Sequence, residues 1–433
     1  MLDSFQQAFK VGDLRKKLLF TLFMLLVFRL GAHIAVPGVN PGAMEKLLSG
    51  QLFGFFDIIS GGAFKRFSIF AMSITPYINA TIIMQLLTVV VPRLEELQKE
   101  GEEGRKVIVQ YTRYGTVVLG FIQAMGMSIA LGRSGALMHT GFLSYIIIAI
   151  SLTAGTALLM WIGETITEKG IGNGISLIIF AGIVSRLPGQ IAGVGQELAG
   201  GIIGYFNILL FIVLALAIIA SIIAVNEGQR RLPVQYAKRV VGRKVYGGQS
   251  TLIIEAIDPT TEMMFPTNDF AGGVIPIIFA MSLMMFPATI GSWMDPASGL
   301  NRFLQEYFSF SSVAYNMVYA ALIVFFTYFY VAIIFNPMDV ADNIKKYGGF
   351  IPGIRPGRPT AEYIDRVLSR LTLAGGVFLA LIAILPNFII GLTGITSLWF
   401  GGTALLIVVG VALDTMKQIE SHLLLRSYEG FVK

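Results

Sequence analysis

Apolar residues in this chain are grouped into blocks of about 20 residues, separated by short polar or basic stretches. A helix of about 20 residues crosses the ~30 Å hydrocarbon core of a bilayer, whereas membrane-spanning strands show alternating patterns of about ten residues. The pattern therefore predicts an all-α integral membrane protein with ten transmembrane helices. The predicted spans begin near Leu18, Phe67, Tyr114, Leu143, Ile175, Tyr205, Val274, Ala314, Leu371 and Leu398.

The composition agrees with a membrane protein. Hydrophobic residues make up 55% of the 433 positions and charged residues only 13%, whereas soluble domains carry about 25% charged residues. The sequence contains no cysteine, which excludes disulfides, thiol nucleophiles and cysteine metal sites. The first apolar block lacks a small-residue cleavage site and contains Arg29, so it is predicted to be a retained span rather than a signal peptide.

The distribution of basic residues predicts the orientation. If the N-terminus is cytoplasmic, most of the 32 Lys and Arg residues fall in cytoplasmic segments, as the positive-inside rule requires. An even number of spans then places both termini in the cytoplasm.

Two of these cytoplasmic segments are long and patterned. NEGQRRLPVQYAKRVVGRKVYGGQST (226–251) alternates β-forming and basic residues around Gly242, which predicts a projecting hairpin. Residues 336–371 place a Gly/Pro-rich, arginine-bearing tip between two helical pieces. Each could be an ordinary positive-inside loop, but their length and charge favour a docking surface for RNA or an acidic protein face.

The segment FFDIISGGAFKRFSIF (55–70) is apolar but too short to cross a bilayer. Gly61 and Gly62 interrupt it, and Lys65 and Arg66 follow on the predicted external side. Irregular backbone at membrane depth is tolerated only where it is buried in protein or lines a cavity. The segment is therefore predicted to be a re-entrant element within the bundle.

The span after this segment carries polar side chains in an apolar sequence. Ile74 and Ile78 lie four residues apart around Pro76, with Asn79 and Gln85 nearby. Polar side chains inside a membrane are expected to face protein or water rather than lipid.

A glycine-rich stretch, GIGNGISLII (170–179), precedes the fifth span. It matches neither the P-loop nor the spaced dinucleotide-binding pattern, so it predicts a loop followed by a helix. Ile175 and Ile179 lie on one face of that helix, since they are four residues apart.

Sites for catalysis or ion coupling are not evident in the sequence. The three histidines, His33, His139 and His422, lie near span ends without a metal-binding spacing, and no esterase elbow or paired intramembrane aspartate occurs. The ionisable residues within predicted spans, which are expected to snorkel to the nearby interface, are Arg29, Glu164 and Asp414.

Several long motifs, in their order along residues 11–433, resemble the SecY family, the channel subunits of bacterial protein-conducting translocons. They are SGGAFKRFSIFAMSITPYINATIIMQLL, EGEEGRKVIVQYTRYGT, GIGNGISLIIFAGIV, GVIPIIFA, NPMDVADNIKKYGGFIPGIRPGRPT and FGGTALLIVVGVALD.

The resemblance implies two inverted five-helix halves, residues 1–195 and 196–433, with the basic loops (about 226–273 and 336–370) in the second. Such halves are hinged between spans five and six. They open sideways between spans two and three on one wall and seven and eight on the other. An odd number of spans in each half gives the opposite orientations that inverted repeats require.

The resemblance also implies functional residues. A narrow apolar ring stays dewetted and holds back ions; this ring, here the collar, is Ile74, Ile78, Ile175, Ile179, Ile278 and Ile407. A re-entrant plug (about 55–67) includes Phe56, Ile58, Ile59, Gly61, Gly62 and Phe64. The lateral-gate residues are Asn79, Gln85, Gln123 and Phe286. The partner-binding residues are Arg230, Arg231, Arg243, Lys244, Arg355 and Arg358.

The implied function is export of unfolded polypeptides across the bacterial cytoplasmic (inner) membrane and lateral insertion of membrane proteins into it. The implied partners are the small subunits SecE and SecG, the ATPase SecA, the ribosome, signal-peptide-bearing polypeptides and membrane lipid. No catalytic residue, metal or cofactor is implied. The alternatives, a small-solute transporter and an intramembrane enzyme, would need an ion site or a catalytic constellation that the sequence does not show.

One stretch departs from the family pattern. Between GGQST and span seven the chain reads LIIEAIDPTTEMMFPTNDFA (252–271), which is longer than usual in the family and acidic. The start of span seven therefore cannot be aligned with the family pattern through this stretch, and the match resumes at GVIPIIFA, before Ile278.

Overall fold

The structure is a computed structural model of the chain. It describes residues 9–40, 60–133, 135–139, 141–201, 203–236, 239–241, 244–246, 249–255, 276–284, 298–300, 303, 307, 312–395 and 402–431.

Helices dominate the described residues. In chain order they are α1 (Gly12–Gly31), α2 (Thr75–Val90), α3 (Pro92–Lys99), α4 (Glu102–Arg133), α5 (Phe142–Lys169), α6 (Gly174–Val184), α7 (Leu187–Ala199), α8 (Tyr205–Asn226), α9 (Val313–Ile334), α10 (Pro337–Lys346), α11 (Arg358–Thr393) and α12 (Gly402–Phe431). Residues 276–284 are also helical. The strands are β1 (Gln229–Tyr236), β2 (Arg239–Val241), β3 (Lys244–Tyr246), β4 (Gln249–Glu255) and β5 (Gly349–Phe350).

The fold is that of a helical membrane protein, as predicted. Within the described residues, six helices are long and apolar enough to cross a membrane, or seven if α2 and α3, bent by 103°, form one broken span. The six are α4, α5, α6 with α7, α8, α9 with α10, and α11. The other predicted spans correspond to α1, residues 276–284 and α12, so the count of ten stays a prediction.

The second span begins later than the sequence suggested. Residues 67–74 form turns and an isolated bridge rather than helix, and α2 starts at Thr75 with Pro76 in its first turn. Proline is favoured there because the first helical N–H groups have no acceptor within the helix. The expected start at Phe67 is therefore wrong, and the re-entrant segment extends directly up to α2.

The two basic loops fold together. Strand β1 pairs antiparallel with β4, from Gln229 opposite Glu255 to Gln235 opposite Gln249. Between them β2 pairs with β3, which confirms the predicted hairpin. Strand β5, from the second loop, pairs with the other edge of β1. The loops thus share one sheet of strand order β4-β1-β5.

A small apolar core supports this basic sheet unit, which is predicted to lie in the cytoplasm. Leu232 and Val234, two residues apart on β1, are buried, whereas Arg231, the residue before Leu232, is exposed. Ile344 of α10 and Ile364 of α11 belong to the same buried cluster. Strand β1, which carries the basic residues, therefore packs on a folded core formed with α10 and α11 and is not part of an unstructured loop.

The predicted boundary between the halves, 195/196, falls inside α7. Val194 of this helix is buried in a cluster with residues of α8, α9, α11 and α12. The division into 1–195 and 196–433 stays a prediction, but the last turns of α7 already pack with the second half.

Candidate functional site

The six isoleucines of the collar belong to one apolar cluster. Three of them are buried and the other three are partly buried and pack against them. They come from four separate parts of the chain: the start of α2, the helix α6, the helical residues 276–284, and α12. The buried members are Ile74, Ile179 and Ile407, and the partly buried members are Ile78, Ile175 and Ile278.

Helix α6, which carries two collar residues, has a defined N-terminus. The side-chain Oδ1 of Asn173 accepts hydrogen bonds from the backbone N–H groups of Ile175 and Ser176, both at 3.1 Å. An asparagine cap of this kind satisfies donors that have no acceptor within the helix. The predicted loop before a helix is confirmed, and Asn173 is the residue that starts the helix.

The glycines around Asn173 allow close packing between α6 and α5. A methyl group on Gly174 would overlap the backbone carbonyl oxygen of Gly163 in α5. A methyl group on Gly163 would lie 2.8 Å from Cγ1 of Ile175. The first turn of α6 therefore lies directly against the α5 backbone.

The described part of the re-entrant segment is buried. Ala63, Phe64 and Phe67 are almost wholly inaccessible to solvent, whereas Lys65 and Arg66 are exposed. This is the burial predicted for an element that enters the bundle and leaves its charges at the wet edge. The predicted plug residues Phe56, Ile58 and Ile59 lie outside the described residues.

The segment is fixed to α1 and α6 at Gly61. The guanidinium Nη1 of Arg29 in α1 donates a hydrogen bond to the carbonyl oxygen of Gly61 at 2.8 Å. Gly61 has a φ of +65°, and a Cβ there would lie 2.7 Å from Cα of Gly182 in α6. The side chain of Arg29, in the last turn of α1, thus binds the re-entrant segment, and its expected snorkelling to the interface stays a prediction.

Backbone hydrogen bonds hold the segment further along. The N–H of Val36 donates to the carbonyl of Phe67 at 2.9 Å, and the N–H of Ile69 donates to the carbonyl of Ile34 at 3.0 Å. The residues after α1 thus form a short extended contact with the residues before α2. This satisfies backbone groups that are buried away from water.

Glu164, the second ionisable residue within a predicted span, is also paired. Its carboxylate lies 2.9 Å from Nη2 of Arg113 and accepts a second hydrogen bond from Nε of the same arginine at 2.9 Å. This two-pronged geometry joins α5 to α4 and is stronger than a single exposed ion pair. Glu164 thus has a partner within the protein, and its expected snorkelling stays a prediction.

The predicted lateral-gate residues lie at half-buried positions. Asn79 and Gln85 are on α2 and Gln123 is on α4. Phe286 lies outside the described residues.

A set of apolar contacts that sequence reasoning missed lies between α2 and the second half. Phe279 and Tyr330 are buried together, and Ile82 of α2 and Phe326 of α9 pack against them. The rings of Phe279 and Phe326 meet edge to face, with centroids 5.6 Å apart. The spacing of Ile78 and Ile82, four residues apart on α2, was the available signal that Ile82 shares a face with the collar residue.

Four of the predicted partner-binding arginines of the basic sheet unit are exposed. Arg230 and Arg231 lie on β1, and Arg355 and Arg358 lie at the tip before and at the start of α11. Arg358 pairs with Glu362 at 3.1 Å. Of the remaining two, Lys244 lies in β3, and Arg243 lies outside the described residues.

The tip that carries Arg355 is ordered by its own hydrogen bonds. The hydroxyl of Thr360 donates to the carbonyl oxygen of Arg355 at 2.9 Å, and Ile351 before it is buried in the core of the unit. The guanidinium of Arg355 has no ion pair with any residue that the structure describes. The side chain is therefore presented to solvent from a fixed backbone.

These features define a class of protein: a helical membrane protein with an apolar cluster drawn from separate parts of the chain, a buried turn segment before α2 and a basic sheet unit. The chain belongs to the SecY family, whose family model matches residues 68–416.

Individual proteins support this assignment. The chain is 48% identical to the protein translocase subunit SecY of Halalkalibacterium halodurans, and the match covers 100% of both chains. A solved structure concerned with the plug domain of SecY, described as stabilising the closed channel and the membrane seal, aligns with a TM-score of 0.62 at 19% identity, over 94% of this chain and 91% of that one. Sec61 in the canine ribosome–channel complex aligns with a TM-score of 0.59 at 18% identity, over 94% and 91%. At such identities the two structures show the shared fold.

Proposed function

We propose that this chain is the channel subunit of a protein translocase. Unfolded polypeptides cross the membrane through it, and apolar segments leave it sideways into the lipid. The curated relative at 48% identity over the full chain is a translocase subunit, and the fold is that of protein-conducting channels. The chain itself is not an enzyme in this proposal, and partners or the membrane potential drive transport.

The observation that carries the proposal is the gathering of the six collar isoleucines into one cluster from four parts of the chain. Polar or charged lining would bind a passing polypeptide and conduct ions. An apolar constriction excludes water when closed and yields to any side chain when a polypeptide passes. The described re-entrant residues support a plug that seals the same pathway.

The basic cytoplasmic unit is the proposed docking surface. Its arginines project from a sheet and a fixed tip, which suits an acidic partner of large area. We assign it to the ribosome and to SecA, and we expect SecE and SecG as small membrane subunits. The protein then resides in the bacterial cytoplasmic membrane with both termini in the cytoplasm.

The collar is tested by Ile179→Ser. Ile179 is buried in the cluster, so a hydroxyl there supplies a foothold for water in a dewetted ring. We expect the resting channel of this variant to conduct ions above the wild-type level in planar bilayers. Ile150→Ser is the matched control, because Ile150 lies in α5 with 55% of its surface exposed.

Conductance of Ile179→Ser no higher than that of Ile150→Ser would contradict the collar. A conducting resting state in both variants would instead indicate that any serine in the bundle causes leakage. Only the difference between the two supports the assignment.

A further inference from the structure

The loop that precedes α6 takes its hydrogen-bond acceptors from distant helices. The N–H of Gly172 donates to Oε1 of Gln418 in α12 at 2.9 Å, across 246 positions of sequence. The N–H of Ile171 donates to Oγ1 of Thr21 in α1 at 3.0 Å, across 150 positions. A buried N–H without an acceptor is costly, so these side chains determine where the loop can lie.

The space around Gly172 is closed. This residue is buried with a φ of +85°, and a methyl group on it would lie 3.2 Å from Oγ1 of Thr415 and 2.8 Å from Cδ1 of Leu177. Thr415 is on α12 and Leu177 is on α6. The loop is therefore held between these two helices by contact as well as by the hydrogen bond.

Apolar packing joins the same elements. Leu14 of α1, Ile171 of the loop and Ile419 of α12 are buried together. Ile419 is the residue next to Gln418, so the hydrogen bond and the apolar contact act on the same turn of α12. The cytoplasmic end of α12 is thus tied to the start of α6 by two kinds of interaction.

Both tied helices carry collar residues. Gln418 and Ile407 are separated by about three helical turns and so lie on one face of α12. Gly172 lies directly before α6, which carries Ile175 and Ile179 in its first turns. Because a continuous helix transmits an axial shift along its length, a shift at Gln418 moves Ile407 relative to the isoleucines of α6.

We propose that Gln418 is a positioning residue for the collar: its side-chain oxygen fixes the axial register of α12 against α6. This inference rests on the proposed function, in which the collar is the ion seal. The hydrogen bond links a helix of the second half to a loop of the first half. Although it lies outside the collar, this bond holds the collar residues of α12 and α6 at a fixed axial offset.

The test compares Gln418→Glu with Gln418→Met in the full translocase complex. Both side chains resemble glutamine in length, but only glutamate retains an oxygen acceptor for the Gly172 N–H. The axial register of α12 against α6 is measured with two cysteines, introduced in place of Ile179 and Ile407 in a chain that has no cysteine of its own. The measured quantity is the rate at which a short bismaleimide cross-links them. Ser421→Ala is the control, because the Ser421 hydroxyl bonds within its own helix, to the Gln418 carbonyl at 3.0 Å.

We expect Gln418→Met to change the cross-linking rate several-fold and to raise resting ion conductance. Gln418→Glu and Ser421→Ala should stay within about twofold of the parent in both measurements. Gln418→Asn, which keeps the amide on a shorter stem, should lie between glutamate and methionine. Gln418→Asn also replaces Gln418→Met as the test variant if the methionine variant fails to accumulate.

Equal cross-linking in the parent, methionine and asparagine backgrounds would overturn the inference. The cross-linking readout does not depend on ion leakage, so it tests the register even if Ile179→Ser proves tight. A leaky Ile179→Ser combined with unchanged cross-linking would leave the collar standing and remove the role of Gln418.

Discussion

Replacing Gly61 by alanine separates steric contact with the pore wall from backbone strain. Gly61 and its neighbour Gly62 both have positive φ, +65° and +85°, so alanine is strained at either position. A Cβ on Gly61 would lie 2.7 Å from Cα and 2.9 Å from the carbonyl oxygen of Gly182. A Cβ on Gly62 would meet no atom within 4 Å. Gly62→Ala is therefore a matched control for the strain alone.

The expected difference follows from these contacts. Left-handed backbone costs a non-glycine residue about 1–2 kcal/mol, and this cost applies to both variants. The atoms that oppose a Cβ at Gly61 are backbone atoms of α6, which cannot move aside as a flexible side chain can. Overpacking of this kind adds about 1–3 kcal/mol. If the strain is relieved when the segment leaves α6, Gly61→Ala favours the open state about 5- to 150-fold more than Gly62→Ala does.

The assay is the open fraction of the resting channel in planar bilayers, without a translocating polypeptide. Both variants should still export a signal-bearing substrate, since the collar is unchanged. The open fraction of Gly61→Ala should exceed that of Gly62→Ala, and both should exceed the wild type. Equal open fractions for the two variants would refute the contact between this segment and α6 as part of the seal.

Two further predictions concern the cytoplasmic tip and the contacts between α2 and the second half. Arg355→Glu should block SecA-driven export in reconstituted vesicles. Arg355→Lys should impair export, because an ammonium lacks the planar bidentate geometry of a guanidinium. Normal export by Arg355→Glu, or an equal defect in the control Arg366→Glu, would contradict the assignment of Arg355 to partner binding. Phe279→Ala removes a buried ring that packs on Phe326, so it should ease sideways opening and increase export of a substrate with a weakened signal sequence. The control Leu283→Ala changes a side chain that is 46% exposed on the same helical segment, and an equal gain there would argue against a gate.

The sequence predicted the helices well because each apolar block is long enough to form a span without information from elsewhere in the chain. It failed at the start of α2, where the apolar run continues unbroken from Phe67 although residues 67–74 are in turns. Hydropathy does not distinguish a buried turn from a buried helix. The residues after α1, which pair with this turn through Val36 and Ile34, decide the outcome.

The site could be predicted in part. The collar positions followed from the resemblance, and the structure places them in one cluster. The contacts of Arg29 and Gln418 could not be predicted, because each involves a backbone group far away in sequence, Gly61 and Gly172. An arginine near a span end and a glutamine within a helix have no local pattern that reveals such a contact.

The union of the two basic loops was also beyond sequence reasoning. Strand β5 contains only two residues, Gly349 and Phe350, which is too short to produce an alternating pattern. Its pairing with Gln235 and Tyr236 joins loops that the sequence showed as separate. A partner that docks on one loop therefore contacts a unit that includes the other.

In the proposed channel the collar and its supports are held by different kinds of interaction, as a seal that opens repeatedly requires. The isoleucines belong to one apolar cluster, so exposing them leaves no side-chain polar group unsatisfied and costs about 25 cal/mol per Å² exposed to water. The elements that carry them are fixed by directional hydrogen bonds: the N–H of Ile175 donates to Asn173 at the start of α6, and the N–H of Gly172 donates to Gln418. Breaking such a bond strands a buried donor, at a cost of about 1–3 kcal/mol. In the proposed channel the Asn173 cap lies within one wall and survives opening, whereas the Gly172–Gln418 bond joins the start of α6 to α12, so a movement that separates these two helices must break that bond as well as the apolar contacts.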